Sequence, residues 1–417
     1  MQLDKLRTLL HRAEANPFYA PRLREAGLAA AGLHDVADLR RLAPIDKTDL
    51  LVDQETSPPY GSRLGVPAAD IREIHLTSGT SGLGQEAMAL TGADVAASGR
   101  TWAPVFASAG LGPGDLFATF YPATLFAYGR SVLSGSRETG VPVVSMSGVD
   151  RDVALNLLRR LQPRALGARP ALFTLLAETL AAERVTPAGA FPALSSIVAS
   201  GLSPEQAVVL EAEWGATVHE VYGMSQAAGI IASTGPEGAA PGGVAGVMWC
   251  NRQAFLVEAV DPSTLEPVDE GEAELLLTCL ERHASPIIRF RTRDRVEVVR
   301  DPTDPGHLGL RVGSIGRWDD MIKLRGNNVW PGQLDHALLG APGVLDYLAE
   351  VTLDDRGVEQ LHVRVRRDPR SADAPDMLDD LARRVKAATN VRPSVRFDPD
   401  LPEPDLKPKR LLDRRNR

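Results

Sequence analysis

The sequence predicts an α/β protein, with a large N-terminal unit built on mostly parallel sheets and a small α+β unit at the C-terminus. Three observations carry this. Helix-like and strand-like segments alternate over the first three quarters of the chain, strands dominate from Ala254 to Val299, and the remainder returns to a strand, strand, helix pattern.

Taken in order, MQLDKLRTLLHRAEANPFYA places apolar residues at helical spacing among charges and lacks the unbroken apolar core of a secretion signal. IREIHL is an apolar strand run that opens into a Ser/Thr/Gly loop from Thr77 to Gly84. RDVALNLLRRL and PALFTLLAETLAAE read as amphipathic helices around a short apolar segment. SSIVASG and TVHEVYGMSQ are strands that end in turns, and the Gly/Pro/Ala-rich stretch from Gly235 to Gly246 is a loop. AFLVEAV, AELLLTCL and RVEVV are strands, as are VLDYLAEV and QLHVRVRR; MLDDLARRVKAAT is a helix, and KPKRLLDRRNR is a basic tail.

Composition narrows the function classes. The 417 residues, 44% apolar and 24% charged, suffice for a large cored domain and a smaller one. A net charge of -8, with basic residues concentrated only in the tail, argues against nucleic acid as the main partner. Cys250 and Cys279 have no CxxC spacing, so neither a disulfide framework nor a Cys-rich zinc site is expected, and a reducing cytoplasmic compartment fits. No stretch approaches the length of a membrane span.

The loop after IREIHL is the first candidate site. Glycines let a backbone approach an anion closely, and successive N–H groups in such a turn can hold phosphate oxygens. Gly79 to Gly84 has the GxxxxG spacing of a Walker A loop, but Gln85 and Glu86 stand where that motif needs Lys and Ser/Thr. A P-loop NTPase is thereby excluded, and the plain alternative is a Ser/Gly turn between a strand and a helix. Asp294 sits among Arg289, Arg291, Arg293 and Arg295, which by itself reads as a surface ion-pair cluster. Arg317 and Asp319 likewise read as a loop salt bridge. His219 and Glu220 have no further ligand at metal spacing and read as core residues, as do Trp102, Trp214 and Trp249. The tail, by composition alone, is a solvated charge run.

NPFYAPRLREAGL, TSGTSG, LFAYG, VYGMSQ, PIIRFRTRD, GSIGRWDDMIKLRGNNVWPGQL and LKPKRLLD occur in this order along nearly the whole chain. In them the sequence resembles adenylate-forming enzymes of the phenylacetate-CoA ligase branch. The resemblance implies that residues 1–318 bind ATP and acid, and that residues 319–417 form a lid turning between adenylate formation and transfer. It implies ATP-dependent activation of a small aryl or unsaturated carboxylic acid, with coenzyme A as acceptor and a homodimer as the working form. A carboxylate is a poor electrophile; joining it to the α-phosphorus of ATP and expelling pyrophosphate gives an anhydride that a nucleophile can open, so catalysis is mostly positioning and charge stabilisation.

By the same resemblance Thr77, Ser78, Gly79, Thr80, Ser81 and Gly82 cradle the departing phosphates, Ser225 contacts the α-phosphate, and Thr80 and Ser225 count as catalytic. Ser200 and Gly201 belong to the adenine-flanking loop, and Tyr222, Gly223 and Met224 border adenine and acyl group. Asp294 would accept hydrogen bonds from the ribose hydroxyls, Arg317 would add a cation, and Asp319 would be the hinge. Tyr121, Ala123, Phe126 and Tyr128 would line the acid pocket. Counting back from Arg410, Leu411, Leu412 and Asp413 puts the catalytic lysine at Lys407, with Lys409 as rival.

The chain departs from the family pattern in places that bear on chemistry. Gln226 replaces the glutamate that helps bind Mg²⁺, a weaker ligand that leaves the metal to the ATP phosphates. Leu83, Gly84 and Gln85 replace the loop's Lys-Pro. Ala123 replaces an aromatic residue and Tyr128 a glycine, reshaping the pocket. Two other outcomes therefore stay open: a specialised-metabolism enzyme using an amine, a carrier protein, or nitrite for diazotisation of an aryl amine, and a degenerate binder without turnover.

Overall fold

The computed structural model describes residues 1–77, 84–354, 357–369, 371, 376–401 and 409–415. Among the described residues one twelve-stranded sheet runs through the larger unit. Its parallel part places Val143–Ser145, Phe117–Thr119, Ala165–Gly167, Ser196–Ala199 and Thr217–Met224 side by side in that order. Parallel neighbours need long crossovers, and the helices Ala127–Thr139, Arg151–Leu161, Pro170–Ala182 and Pro204–Trp214 supply them. Strands covered in this way read as unbroken apolar runs, and Ala165–Gly167 and Ser196–Ala199 are buried at every position.

Thr217–Met224 is parallel to one neighbour and antiparallel to the other, Gly229–Thr234. Beyond it the sheet continues antiparallel through Val247–Cys250, Leu308–Arg311, Phe290–Arg300 and Gly271–Cys279 to Phe255–Val260. Phe290–Arg300 alternates in burial, its even-numbered residues from Phe290 to Val298 facing inward, as a half-buried strand must. Ile71–Leu76 and Ala87–Thr91 form a separate antiparallel pair. The Ser/Thr/Gly loop therefore joins two strands, not a strand and a helix.

The smaller unit has its own core, in which Leu334, Leu338, Tyr347, Val351, Leu381 and Leu411 meet. Its sheet orders Ser394–Phe397, Glu359–Arg367, Val344–Leu353 and Leu411–Asp413, with the helix Met377–Thr389 packed against it. The basic tail thus departs from a solvated run: Leu411–Asp413 is a parallel strand beside Ala349–Val351, and its flanking arginines are paired. Arg410 donates to Asp346 at 2.6 Å and Arg414 to Glu350 at 3.2 Å, while Arg415 pairs with Glu359. Composition missed this because the one leucine that docks the strand, Leu411, is outnumbered by its charged neighbours.

Leu411→Ala should cost about 2–5 kcal/mol, the usual loss for a buried leucine, read by urea denaturation. A change within a few tenths of a kcal/mol would show the tail undocked.

Candidate functional site

Open α/β sheets bind ligands at the carboxyl ends of their parallel strands, and the expected site residues gather there. Tyr121 follows Phe117–Thr119, Ser200 and Gly201 follow Ser196–Ala199, and Ser225 and Gln226 follow Thr217–Met224. The Tyr121 hydroxyl donates to the Ala168 carbonyl at 2.9 Å and lies 3.3 Å from Ser200 Oγ. Met224 and Ser225 are half-buried at the turn. At Gly223 a Cβ would stand 2.6 Å from the Gly229 carbonyl oxygen, so the strand can fold back only with glycine there.

Tyr128 lies with its ring centroid 4.1 Å from that of Tyr121 and meets Trp102 edge-on at 5.3 Å. Its hydroxyl is buried, and burial pushes its pKa up, with Tyr121 adding to the shift. Ala123 and Phe126 are half-buried on the connection that leads into the same helix, Ala127–Thr139. Arg169, not singled out by sequence, follows the strand Ala165–Gly167. Burial lowers its pKa, Tyr121 and Tyr128 act on it next in strength, and its Nε is buried without a partner.

Asp294 is drawn out of the arginine cluster by the pleat. It is 7% exposed on the inward face, whereas Arg289, Arg291, Arg293 and Arg295 pair with Glu258, Glu274, Asp46 and Glu272. This corrects the surface ion-pair reading. The Tyr222 hydroxyl donates to Asp294 Oδ2 at 2.5 Å and Arg317 Nη1 donates to Oδ1 at 3.3 Å. Burial and the Asp294 carboxylate both raise the Tyr222 pKa, so the phenol stays a donor. Asp294 and Arg317 are also register partners across two strands, so Arg317 pairs with Asp294. Arg293, just before Asp294, has φ +59° at the point where the register with Gly271–Cys279 shifts, a bulge of the kind that re-aims a neighbouring side chain.

The neck of the Ser/Thr/Gly loop is closed by two bonds. The Thr77 N–H donates to the Glu86 carbonyl at 3.0 Å, and the Glu86 N–H donates to Thr77 Oγ1 at 2.9 Å. Ser78, Gly79, Thr80, Ser81 and Gly82 lie outside the described residues, as does Lys407; Lys409 is exposed. Asp319 falls in the turn Trp318–Asp320, and its side chain is outside the described set. A cleft of about 560 Å³ beside Asp294 and Arg317 is lined from the smaller unit by Trp330, Pro331 and His336.

Glu86 and Arg63 are further residues that sequence reasoning passed over. Both are fully buried; Arg63 Nη2 lies 2.5 Å from Glu86 Oε1, and Gln226 Nε2 donates to Glu86 Oε2 at 2.8 Å. No group of three His, Cys, Asp or Glu side chains among the described residues is placed to hold a metal. Both Glu86 oxygens are engaged and Gln226 offers only a neutral amide oxygen, so the described side chains do not fit a protein-held Mg²⁺ centre. The one sequence signal was a carboxylate directly preceding the apolar strand AMAL.

His219 and Glu220 are core residues with separate partners. His219 Nδ1 lies 3.2 Å from the Gly235 carbonyl oxygen. Glu220 Oε1 accepts the Gly201 and Leu202 N–H groups, both at 3.2 Å, and so holds the loop that carries Ser200. Burial raises the Glu220 pKa from 4.5 to about 7 against those backbone donors.

Fold and clustered groups together define an α/β protein whose candidate ligand face is the carboxyl edge of its parallel strands. A family model described as "AMP-binding enzyme" matches residues 8–277, and the chain belongs to that family. It is 29% identical over 387 residues to the phenylacetate-coenzyme A ligase of Thermus thermophilus, covering 88% of this chain and 80% of the relative. To the phenylacetate-coenzyme A ligase of Pseudomonas putida it is 30% identical over 352 residues, covering 81% and 74%. Its fold is that of a 2-hydroxyisobutyryl-CoA ligase solved in the postadenylation state with 2-HIB-AMP, at TM-score 0.87 and 24% identity, covering 99% of this chain and 88% of that one.

Because the native state holds Glu220 protonated to higher pH than the unfolded chain does, its contribution is fully present below about pH 4.5 and is lost as pH rises through about 7. Glu220→Gln should remove this dependence, so the stability difference between wild type and variant should drift by up to about 3 kcal/mol against the wild type from pH 4.5 to 8. Parallel urea-denaturation profiles would contradict it.

Proposed function

We propose that this protein activates a small carboxylic acid by ATP-dependent adenylation, releasing pyrophosphate, and passes the acyl group to coenzyme A. The observation that carries the reading is the Tyr222–Asp294–Arg317 set, a buried phenol and carboxylate with a half-exposed guanidinium, together with the closed loop neck of Thr77 and Glu86. A carboxylate held by a phenol and a guanidinium is preorganised to accept hydroxyl donors such as those of a ribose. Family membership and the coenzyme A ligase relatives support the same chemistry.

In this reading the loop Thr77 to Gly82 takes the phosphates and Ser225 the α-phosphate. Ser200, Gly201 and the strand end Tyr222 to Met224 flank adenine and acyl group. Residues 319–417 act as a lid hinged at Asp319, and the separate core of the smaller unit supports that division. Lys407 stabilises the charge that builds on the α-phosphate. Mg²⁺ is carried by ATP phosphates, and a cytoplasmic homodimer in specialised metabolism completes the proposal.

One observation favours a second reading. Tyr128 packs on Tyr121 in the expected acid pocket and takes space that an aryl group would occupy, which suits a small acid, nitrite with an aryl amine acceptor included; a carrier protein is the other rival acceptor.

ATP–pyrophosphate exchange with Mg²⁺ over aryl and enoic acids tests the proposal. Exchange with any acid, followed by thioester formation with coenzyme A, is the expected result. AMP release only with nitrite and an aryl amine would move the assignment to the second reading, and silence throughout would leave a non-catalytic binder.

Lys407→Ala should cut exchange by about 10²-fold or more, the scale of losing one oriented charge-stabilising group, while transfer from preformed adenylate stays near wild type. Equal loss in both steps would reject Lys407 in favour of a structural role.

A further inference from the structure

The side chain of Gln226 is held by a buried charge it does not itself carry. Glu86 can only accept hydrogen bonds, so the end of Gln226 that meets it at 2.8 Å must be the amide nitrogen, and the amide oxygen is turned away. The other Glu86 oxygen lies 2.5 Å from Arg63, and both of those side chains are fully buried. Lys47 is the further cation that Glu86 acts on. The backbone of Glu86 closes the phosphate-loop neck on Thr77, and Gln226 directly follows Ser225 in the strand-end turn. One side-chain chain, Arg63–Glu86–Gln226, therefore ties the two segments expected to face the phosphates.

We propose that Glu86 is a positioning residue for the nucleotide site: it fixes the Gln226 amide and, with Arg63, carries the buried carboxylate on the phosphate-loop side of the contact. The consequence concerns what position 226 tolerates. With Glu86 present, a glutamate at 226 would lose the amide donor and set two buried carboxylates oxygen to oxygen, and burial makes that like-charge contact costly even beside Arg63 and Lys47. Removing Glu86 alone errs the other way, leaving Arg63 buried without its anion. Exchanging the two residues moves the single carboxylate across one hydrogen bond and keeps both the net charge and the bond. The glutamine is in this light matched to its neighbour and is no sign of decay.

The test compares wild type, Gln226→Glu, Glu86→Gln and the exchanged double variant, all unliganded for melting and with ATP and Mg²⁺ for exchange. Each single change should lower the melting temperature by about 5 °C or more and reduce exchange about tenfold or more. The double variant should recover most of both, a coupling that only interacting residues show. Its KM for ATP, measured well below each melting temperature, should return toward wild type with it, which a purely structural contact would not require. Gln226→Glu that is as stable as wild type and more active would overturn the proposal, as would a double variant no better than the worse single one. Should Gln226→Glu not accumulate, Gln226→Met replaces it. Its loss should then combine with that of Glu86→Gln to no more than the larger of the two, and multiplying losses would overturn the proposal. The exchange arm rests on the proposed adenylation, but the melting arm does not. If the wild type exchanges with no acid, the functional reading fails while the melting temperatures still decide this one.

Discussion

A carboxyl group buried inside a protein needs hydrogen-bond partners in place of the water it has lost. Asp294 and Glu86 each meet that constraint with groups from distant parts of the chain. Asp294 takes a phenol from the central strand and a guanidinium from the strand that leads to the smaller unit. Glu86 takes Arg63 from the N-terminal region and Gln226 from the strand-end turn. These bonds hold the antiparallel half of the sheet, the loop neck and the parallel strand ends in one geometry, and the remainder of the candidate site is arranged around them. Glu220 shows the limit of the device: its donors are backbone N–H groups, Gly201 and Leu202 among them, and burial still pushes its pKa up to about 7.

Much of this was legible in the sequence because local physics is printed there. The alternation of helices and short apolar strands predicts mostly parallel pairing, since parallel neighbours need crossovers of helix length. TVHEVYGMSQ reads as a strand that ends in a turn, and the structure carries the strand through Met224 before the turn begins at Ser225. Asp294 shows both the reach of sequence and its limit. Composition put it in an arginine cluster, yet the parity of the numbering separates it from Arg291, Arg293 and Arg295, because successive side chains of a strand point to opposite faces. Period-two reading alone would have singled it out.

What could not be read was long-range pairing between buried charges. Nothing around Arg63 marks it as the partner of Glu86, and nothing around Glu86 marks it as the neighbour of Gln226, 140 positions away. The docking of the tail was hidden for a related reason. Two leucines among arginines and lysines look solvated until the acidic residues at 346, 350 and 359 are known to face them.

The terminal strand also settles a question of leverage. Arg410 is bonded to Asp346, and the next three residues lie in register against the sheet of the smaller unit. Pro331 opens the helix Pro331–Leu339, whose Leu334 and Leu338 share one core with Leu411. Under the proposed lid motion the terminal strand and the cleft wall of Trp330 and Pro331 therefore travel as one piece, a handle and its blade.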